Sequence, residues 1–447
     1  MSVRPSYTLR LAGVLVATAV ALPAVARCID DEGAEPRASF GGSTVAGDAG
    51  GPRATLQAMV QEALKRSQAI GAAKLLAEAA AADVDETRMS RRPQAGLSGT
   101  LGRVGSSGPN VESVSGNQAR VSLSVTAPLY DGGRITQLTD WRTHLAEAAR
   151  LGQISAQEQV ALQTVSLALD RSRYRMQAQV YQQYSRKMSC LVEALETIVR
   201  ADKGRTSELV QAQKNQQQAD LQQVQTLSMV RQIEVKLRRF VGDGLPGTEG
   251  LSSVLLDVPK LDEVLAQADN AAEIAQLDQQ AEAAESYARA VVAGQKPQVN
   301  WTVGGGKARG AGDGTNWSAG VSFNIPLYNA SNDYSSAAAR KRAEAARLQR
   351  ADALEGRRFR MSEVHEQATS AFDRAQRVIS VLRDSDRVRN FTLQQWQQLG
   401  RRSLFDVMAA EGDHYGLRVA YVNALYDGEQ ANALLRSLGL GIGAWLQ

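Results

Sequence analysis

Apolar and polar residues alternate along four short stretches of the chain. Val121, Leu123 and Val125 oppose Ser122, Ser124 and Thr126; Val321, Phe323 and Ile325 oppose Ser322 and Asn324; Val299, Trp301 and Val303 oppose Gln298, Asn300 and Thr302. A fourth stretch, with Ala95, Leu97, Gly99 and Leu101 on one face, is weaker and richer in glycine. A period of two predicts β-strands with one apolar and one polar face. Each stretch is about ten residues long, enough for a tilted strand to cross a bilayer. A half-buried soluble sheet would show the same alternation.

Two of the strands repeat one another. Val121 to Thr126 run into Ala127-Pro128-Leu129-Tyr130, and Val321 to Asn324 run into Ile325-Pro326-Leu327-Tyr328, so Pro326 follows Pro128 by 198 residues. Pro93-Gln94 and Pro297-Gln298, 204 residues apart, open the strands that precede them. The fall from 204 to 198 places six extra residues in the first hairpin loop, where length differences collect. The period is that of a duplicated half rather than of a short solenoid repeat. The Pro-Leu-Tyr triplets, Pro128, Leu129 and Tyr130 in the first copy and Pro326, Leu327 and Tyr328 in the second, mark the turn from strand into helix.

Between the strands the pattern is helical, rich in Ala, Gln, Arg and Glu, over about 55–92, 133–200, 203–240, 259–295, 332–399 and 400–438. The two longest segments, about 68 residues each, would reach about 100 Å at 1.5 Å per residue. Gly242-Asp243-Gly244-Leu245-Pro246-Gly247 is the strongest breaker between the halves.

The N-terminus decides between soluble sheet and membrane barrel. Arg4 and Arg10, the apolar run Leu11 to Leu22 and Ala24-Val25-Ala26 read as a signal peptide cleaved before Arg27. Arg27 before Cys28 does not suit a lipoprotein signal, which needs a small residue there. No other run is long and apolar enough for a membrane helix, so an integral protein must enter as a closed strand barrel. Four strands cannot close one, since about eight are the minimum. Copies must therefore share a barrel, and three would give twelve strands.

The expected layout is a signal peptide at 1–26, a flexible leader at 27–53, and a first repeat at 54–241 with strands near 94–104 and 118–128. A linker at 242–258, a second repeat at 259–439 with strands near 297–306 and 316–326, and a tail at 440–447 complete it. The formal net charge of +4 is too small to argue for nucleic acid. Two cysteines, Cys28 and Cys190, suggest neither a disulfide framework nor a metal cluster. His144, His365 and His414 lack metal spacing. Gly304-Gly305-Gly306-Lys307 lacks the Ser or Thr of a phosphate loop and reads as strand. Trp301, Trp317, Tyr130 and Tyr328 lie at strand ends, where aromatic rings suit a membrane interface. No nucleophile, base and orienting group recur together, so no enzyme and no cofactor is expected.

The repeated strand, Pro-Leu-Tyr and helix, the signal peptide, and Gly400-Arg401-Arg402-Ser403-Leu404-Phe405-Asp406-Val407-Met408 together resemble the TolC-like ducts of the outer membrane efflux protein family. The resemblance covers about residues 55 to 439. It implies a mainly α fold with a membrane β-barrel: a homotrimer with four strands per protomer in one twelve-stranded barrel, continuous with a periplasmic α-helical barrel. It also implies passive conduction in a tripartite efflux pump or a type I secretion system. The partners would be a periplasmic adaptor, an inner-membrane transporter and outer-membrane lipid, with no nucleic acid. By the same resemblance Asp406 matches a pore-constriction acid. Arg402 matches a basic residue that latches neighbouring coiled coils shut through the positions of Ser207 and Glu208. Gln397 stands where a latch tyrosine can occur, and Ala409 where a second acid would lie, which implies a single acid ring. The competing reading is an exported coiled-coil structural protein without a pore; in it Asp406, Arg402 and Glu208 are an ordinary solvated helix face.

Overall fold

The computed structural model describes residues 51–108, 111–248, 250–399 and 402–446. The expected signal peptide at 1–26, most of the expected leader at 27–53, Cys28, Gly400 and Arg401 lie outside the described residues. Helix α1 (Pro52–Arg66) starts with a proline in its first turn, where the missing N–H costs nothing. Its Leu56, Met59, Val60 and Ala63 are buried on one stripe. The expected helix over 55–92 is broken at Ser67, which is extended at φ −67° and ψ 113°, and α2 (Gln68–Met89) follows. Strands β1 (Gln94–Gly108) and β2 (Val111–Tyr130) form the first hairpin. Helices α3 (Arg134–Ala201) and α4 (Thr206–Val241) form the first helical hairpin, turning at 203–205.

The second half repeats this order. The expected helix over 259–295 is broken: α5 (Leu261–Leu265) is short, Ala271 is extended, and α6 (Ala272–Ala293) carries the chain to the sheet. Strands β3 (Gln298–Gly310) and β4 (Gly314–Asn324) lead to α7 (Ser331–Gln394) and α8 (Leu404–Leu438). A π-helical turn at Gln395–Leu399 ends α7, and α9 (Ile442–Leu446) closes the described chain. Helix α3, at 68 residues, spans about 100 Å.

The four strands form one antiparallel sheet in the order β1-β2-β3-β4. The helices that run directly into or out of them pack side by side in the matching order α2, α3, α6, α7. Each strand thus continues into one helix of a four-helix layer. The other two long helices return along this layer, α4 against α3 and α8 against α7.

A single cluster fixes the two halves together partway along the helices. Leu56, Met59 and Val60 of α1, Val165 and Leu169 of α3, Leu237 of α4, Leu251 and Leu255 of the linker, and Tyr426 of α8 meet there. Ile442 and Leu446 of α9 complete it. A second cluster joins the far ends: Met188, Leu191 and Leu195 of α3 and Ala212 of α4 pack against Leu404, Val407 and Met408 of α8.

Candidate functional site

The sheet is where a single copy of the chain is physically incomplete. Its register pairs Leu97 with Leu123, Val125 with Val303, Trp301 with Val321, and Val299 with Phe323. These side chains share one face, and with Leu101 and Trp317 much of it is bare: Leu101 is 87% exposed, Trp317 82%, Phe323 75% and Leu97 74%, while Val125, Val299 and Trp301 are half-buried. The opposite face pairs Ser98 with Ser122, Ser124 with Gly304, Thr126 with Thr302, and Asn300 with Ser322. Hydroxyls bond across it, Ser98 Oγ to Ser122 Oγ at 2.8 Å and Thr126 Oγ1 to Thr302 Oγ1 at 3.2 Å. Gly304 and Gly306 sit on this polar face. A Cβ on either would lie 3.0 Å from a backbone oxygen of β2, so the glycines let the strands approach. Gly304-Gly305-Gly306-Lys307 is therefore paired strand. Among the described residues β1 and β4 each have only one neighbour, so both sheet edges are unpaired there.

The two Pro-Leu-Tyr triplets differ in structure. Pro128, Leu129 and Tyr130 remain within β2, with a register shift between Pro128 and Tyr130 that accommodates the residue lacking an N–H. Pro326, Leu327 and Tyr328 lie beyond the end of β4. The reason is position: β2 is an interior strand whose Ala127 still faces Trp301, whereas β3 begins at Gln298, opposite Asn324, and offers nothing further to β4. The turn into α3 is made one step later. Asp131 accepts hydrogen bonds from Gly133 N at 3.0 Å and Ile135 N at 2.6 Å, and Gly132 and Gly133 take φ of 65° and 87°. The sequence signal, Asp before Gly-Gly at a helix start, was legible.

At the other end of the molecule the tip residues are engaged locally. Ser403 and Asp406 form a reciprocal cap: Ser403 Oγ accepts from Asp406 N at 3.3 Å and Asp406 Oδ2 accepts from Ser403 N at 3.2 Å. Arg402 Nη1 lies 3.9 Å from Asp406 Oδ2, and Arg402 Nε donates to Gln395 Oε1 at 3.3 Å. Gln397 and Ala409 are exposed. On the first tip Arg205 lies 3.9 Å from both Asp202 and Glu208, and Asp202 accepts from Gly204 N at 2.9 Å. Glu208 is mostly covered, and Ser207 is exposed. Within one protomer, then, Arg402 pairs with its own helix, and Ser207 and Glu208 belong to the other tip.

Charges also penetrate the helical body, a feature sequence reading missed. Glu411 is fully buried, with Lys187 at 3.8 Å and Arg389 at 3.5 Å. Glu429 is fully buried as well, and burial pushes its carboxyl up to about 8. His144 Nδ1 bonds Gln279 Oε1 between α3 and α6 at 2.9 Å, a helix-packing role. Among the described residues no group of His, Cys, Asp or Glu could hold a metal, and no helix is long and apolar enough to cross a membrane.

A sheet apolar on one side and hydroxylated on the other, standing on a four-helix layer whose two long members turn back at paired tips, defines the TolC-like fold of outer-membrane channels. Solved structures bear this out. CusC has a TM-score of 0.77 at 17% identity, over 89% of this chain and 96% of that one. The outer membrane protein VceC of Vibrio cholerae has a TM-score of 0.74 at 17% identity, over 87% and 97%. The MtrE outer membrane channel of Neisseria gonorrhoeae, solved in its open state, has a TM-score of 0.71 at 17% identity, over 88% and 90%. No curated protein matches the chain in sequence. Residues 59–243 match the model of the family described as outer membrane efflux protein.

Proposed function

We propose that the chain is the outer-membrane duct of a tripartite efflux pump or type I secretion system, a passive conduit assembled from three copies. The observation that carries the reading is the sheet. Leaving its apolar face in water and both edges unpaired would be costly and aggregation-prone. Closing β4 of one copy against β1 of the next satisfies both edges, and lipid covers the apolar face. Three copies give twelve strands, with the hydroxyl face lining the pore. The helix layer supports the same closure. Its flanking helices expose Leu75 and Leu76 on α2 and Leu348 and Phe359 on α7, apolar surface that a neighbouring copy would cover. The expected signal peptide at 1–26 supplies the export that an outer-membrane location requires.

The helical hairpins then form a tunnel below the barrel, and their tips approach the axis. Three copies of Asp406 would set a single ring of carboxylates at the constriction, attracting cations by the focused field of a narrow pore. Arg402 would tie one hairpin to the tip carrying Ser207 and Glu208 on a neighbour, exchanging its present partner Asp406. Gln397 would contribute a polar contact. Such a surface ion pair is weak, about 0–1 kcal/mol, and docking of a periplasmic adaptor with its inner-membrane transporter could break it. Chain energy is not spent on transport, and no catalysis is assigned. A pore-free coiled-coil protein does not account for a sheet with a bare apolar face.

Detergent extraction from outer membranes followed by planar-bilayer recording tests the reading. Heat-resistant trimers with discrete single-channel conductance are expected; purified trimers with no conductance would overturn it.

A further inference from the structure

Three cations interrupt the apolar face of the sheet at the end remote from the helices. The register pairs Leu101 with Ala119 and Ala119 with Arg309, Val121 with Lys307, and Arg103 with Asn117. Arg103, Lys307 and Arg309 therefore lie on the same face as Leu97, Leu123, Val303 and Trp317, at its far end. All three are exposed, and none forms an ion pair among the described residues. No carboxylate shares the paired outward positions of the four strands. Two acids belong to this end of the sheet: Glu112 of β2, outside the paired positions, and Asp313, which accepts from the N–H of Gly310 in the β3–β4 turn. Arg120, by contrast, alternates onto the hydroxyl face with Ser122 and Ser124.

Adjacent strands are about 4.8 Å apart, so β1 and β3 are about 10 Å apart across β2. Arg103 and Arg309 can thus flank one headgroup while Lys307 approaches from below. Cations at the rim of a lipid-facing surface can extend along apolar neighbours and hold their charge at headgroup level. Small residues at Ala119, Asn117 and Gly305 leave the space between them open. Since the helices lie on the periplasmic side, this rim faces the outer leaflet. We propose that Arg103, Lys307 and Arg309 form a binding site for the phosphates of a phosphorylated glycolipid of the outer leaflet, of the lipopolysaccharide class. This rests on the barrel reading above, because only there does the apolar face meet lipid.

The test uses the full-length trimer purified in detergent, with its lipopolysaccharide affinity and its outer-membrane fractionation measured separately. Parent protein is expected to bind phosphorylated lipopolysaccharide in a salt-sensitive manner, and the dephosphorylated glycolipid or phosphatidylethanolamine far more weakly. The triple variant Arg103→Gln, Lys307→Gln, Arg309→Gln is expected to bind roughly a hundredfold more weakly, as the loss of three cations at a charged membrane surface implies. Arg103→Lys with Arg309→Lys should retain binding, which guards against misfolding of the Gln variant. Arg120→Gln, on the pore face, should be unchanged. Equal affinity of parent and triple variant, equal binding of dephosphorylated glycolipid or of phosphatidylglycerol, or an equal loss in Arg120→Gln would each overturn the site. Recovery of the parent in the soluble fraction would instead overturn the barrel reading.

Discussion

Asp131 and Asn329, 198 positions apart, perform the same task at the two places where the sheet hands the chain to a long helix. Asp131 accepts from Gly133 N, and Asn329 Oδ1 accepts from Ser331 N at 3.0 Å. The backbone repeats this as well, Arg134 N to Asp131 O at 3.1 Å and Asn332 N to Asn329 O at 3.0 Å. The duplication seen in the strands therefore extends to the hinge chemistry. These side chains satisfy orphan N–H groups at the starts of α3 and α7, and so fix where the sheet ends and each long helix begins.

Replacing either cap with alanine should cost about 1 kcal/mol. Asp131→Asn should retain most of the stability, since its amide oxygen can accept in the same place. Urea or thermal unfolding of the detergent-solubilised protein measures this. Asp131→Ala indistinguishable from parent would remove the cap from the account.

The two faces of β2 should respond oppositely to charge. Leu123 and Ser124 are neighbours in sequence on opposite faces. An arginine facing lipid near the bilayer midplane costs about 2–4 kcal/mol, whereas the pore face is wet. Leu123→Arg should therefore sharply reduce the folded, heat-resistant trimer in the outer membrane. Ser124→Arg should assemble normally and lower conductance. Equal assembly of the two variants would contradict the assignment of faces.

At the tips, the observed cap and the proposed constriction make separable demands on Asp406. Asp406→Asn retains an oxygen that can accept from Ser403 N, so helix stability should change little while block of conductance by multivalent cations weakens. Asp406→Ala should lose both. Arg402→Ala should raise closed-state conductance if the latch to Ser207 and Glu208 forms between copies. Unchanged block in Asp406→Asn would take the residue out of the pore, and unchanged conductance in Arg402→Ala would dispose of the latch.

How much of this was readable in the chain depended on whether the signal was local. Alternation identified all four strands and their faces, because a period of two survives whatever surrounds it. It could not say where β4 would end, since that depends on β3 running out of residues opposite Asn324. Long helices were equally plain, but the breaks at Ser67 and Ala271 carry no Gly or Pro and arise from packing of α1 and α5 into clusters built by distant segments. Ser403-Leu404-Phe405-Asp406 is a capping signature that the family resemblance overshadowed; Asp406 is both a cap and the candidate pore acid. Buried carboxyl groups such as Glu411 and Glu429 were hidden because helical spacing marks a face without naming what covers it.

Glu429 gives the molecule a pH dependence with a definite sign. Glu429 and Asn432 project from one face of α8 onto the inter-repeat linker. The carboxyl lies beside the N–H groups of Val254 and Leu255, which favour its charged form, while Asn432 Nδ2 donates to Leu255 O at 2.7 Å and Asp257 O at 2.8 Å. Burial outweighs the two N–H groups and raises the carboxyl from 4.5 to about 8. In the unfolded chain it loses its proton near the lower value. Between these two values the folded state holds more protons than the unfolded one, so stability falls as pH rises through that window and levels off above it. Glu158 and Asp170, also raised by burial, add to the same trend. Glu429→Gln keeps an oxygen beside the linker N–H groups and cannot ionise. Its melting temperature should fall less than that of the parent between pH 6 and pH 9, with the variant gaining on the parent toward the alkaline end. Parallel profiles across that range would mean that Glu429 does not titrate there, and that the linker clamp is indifferent to its charge.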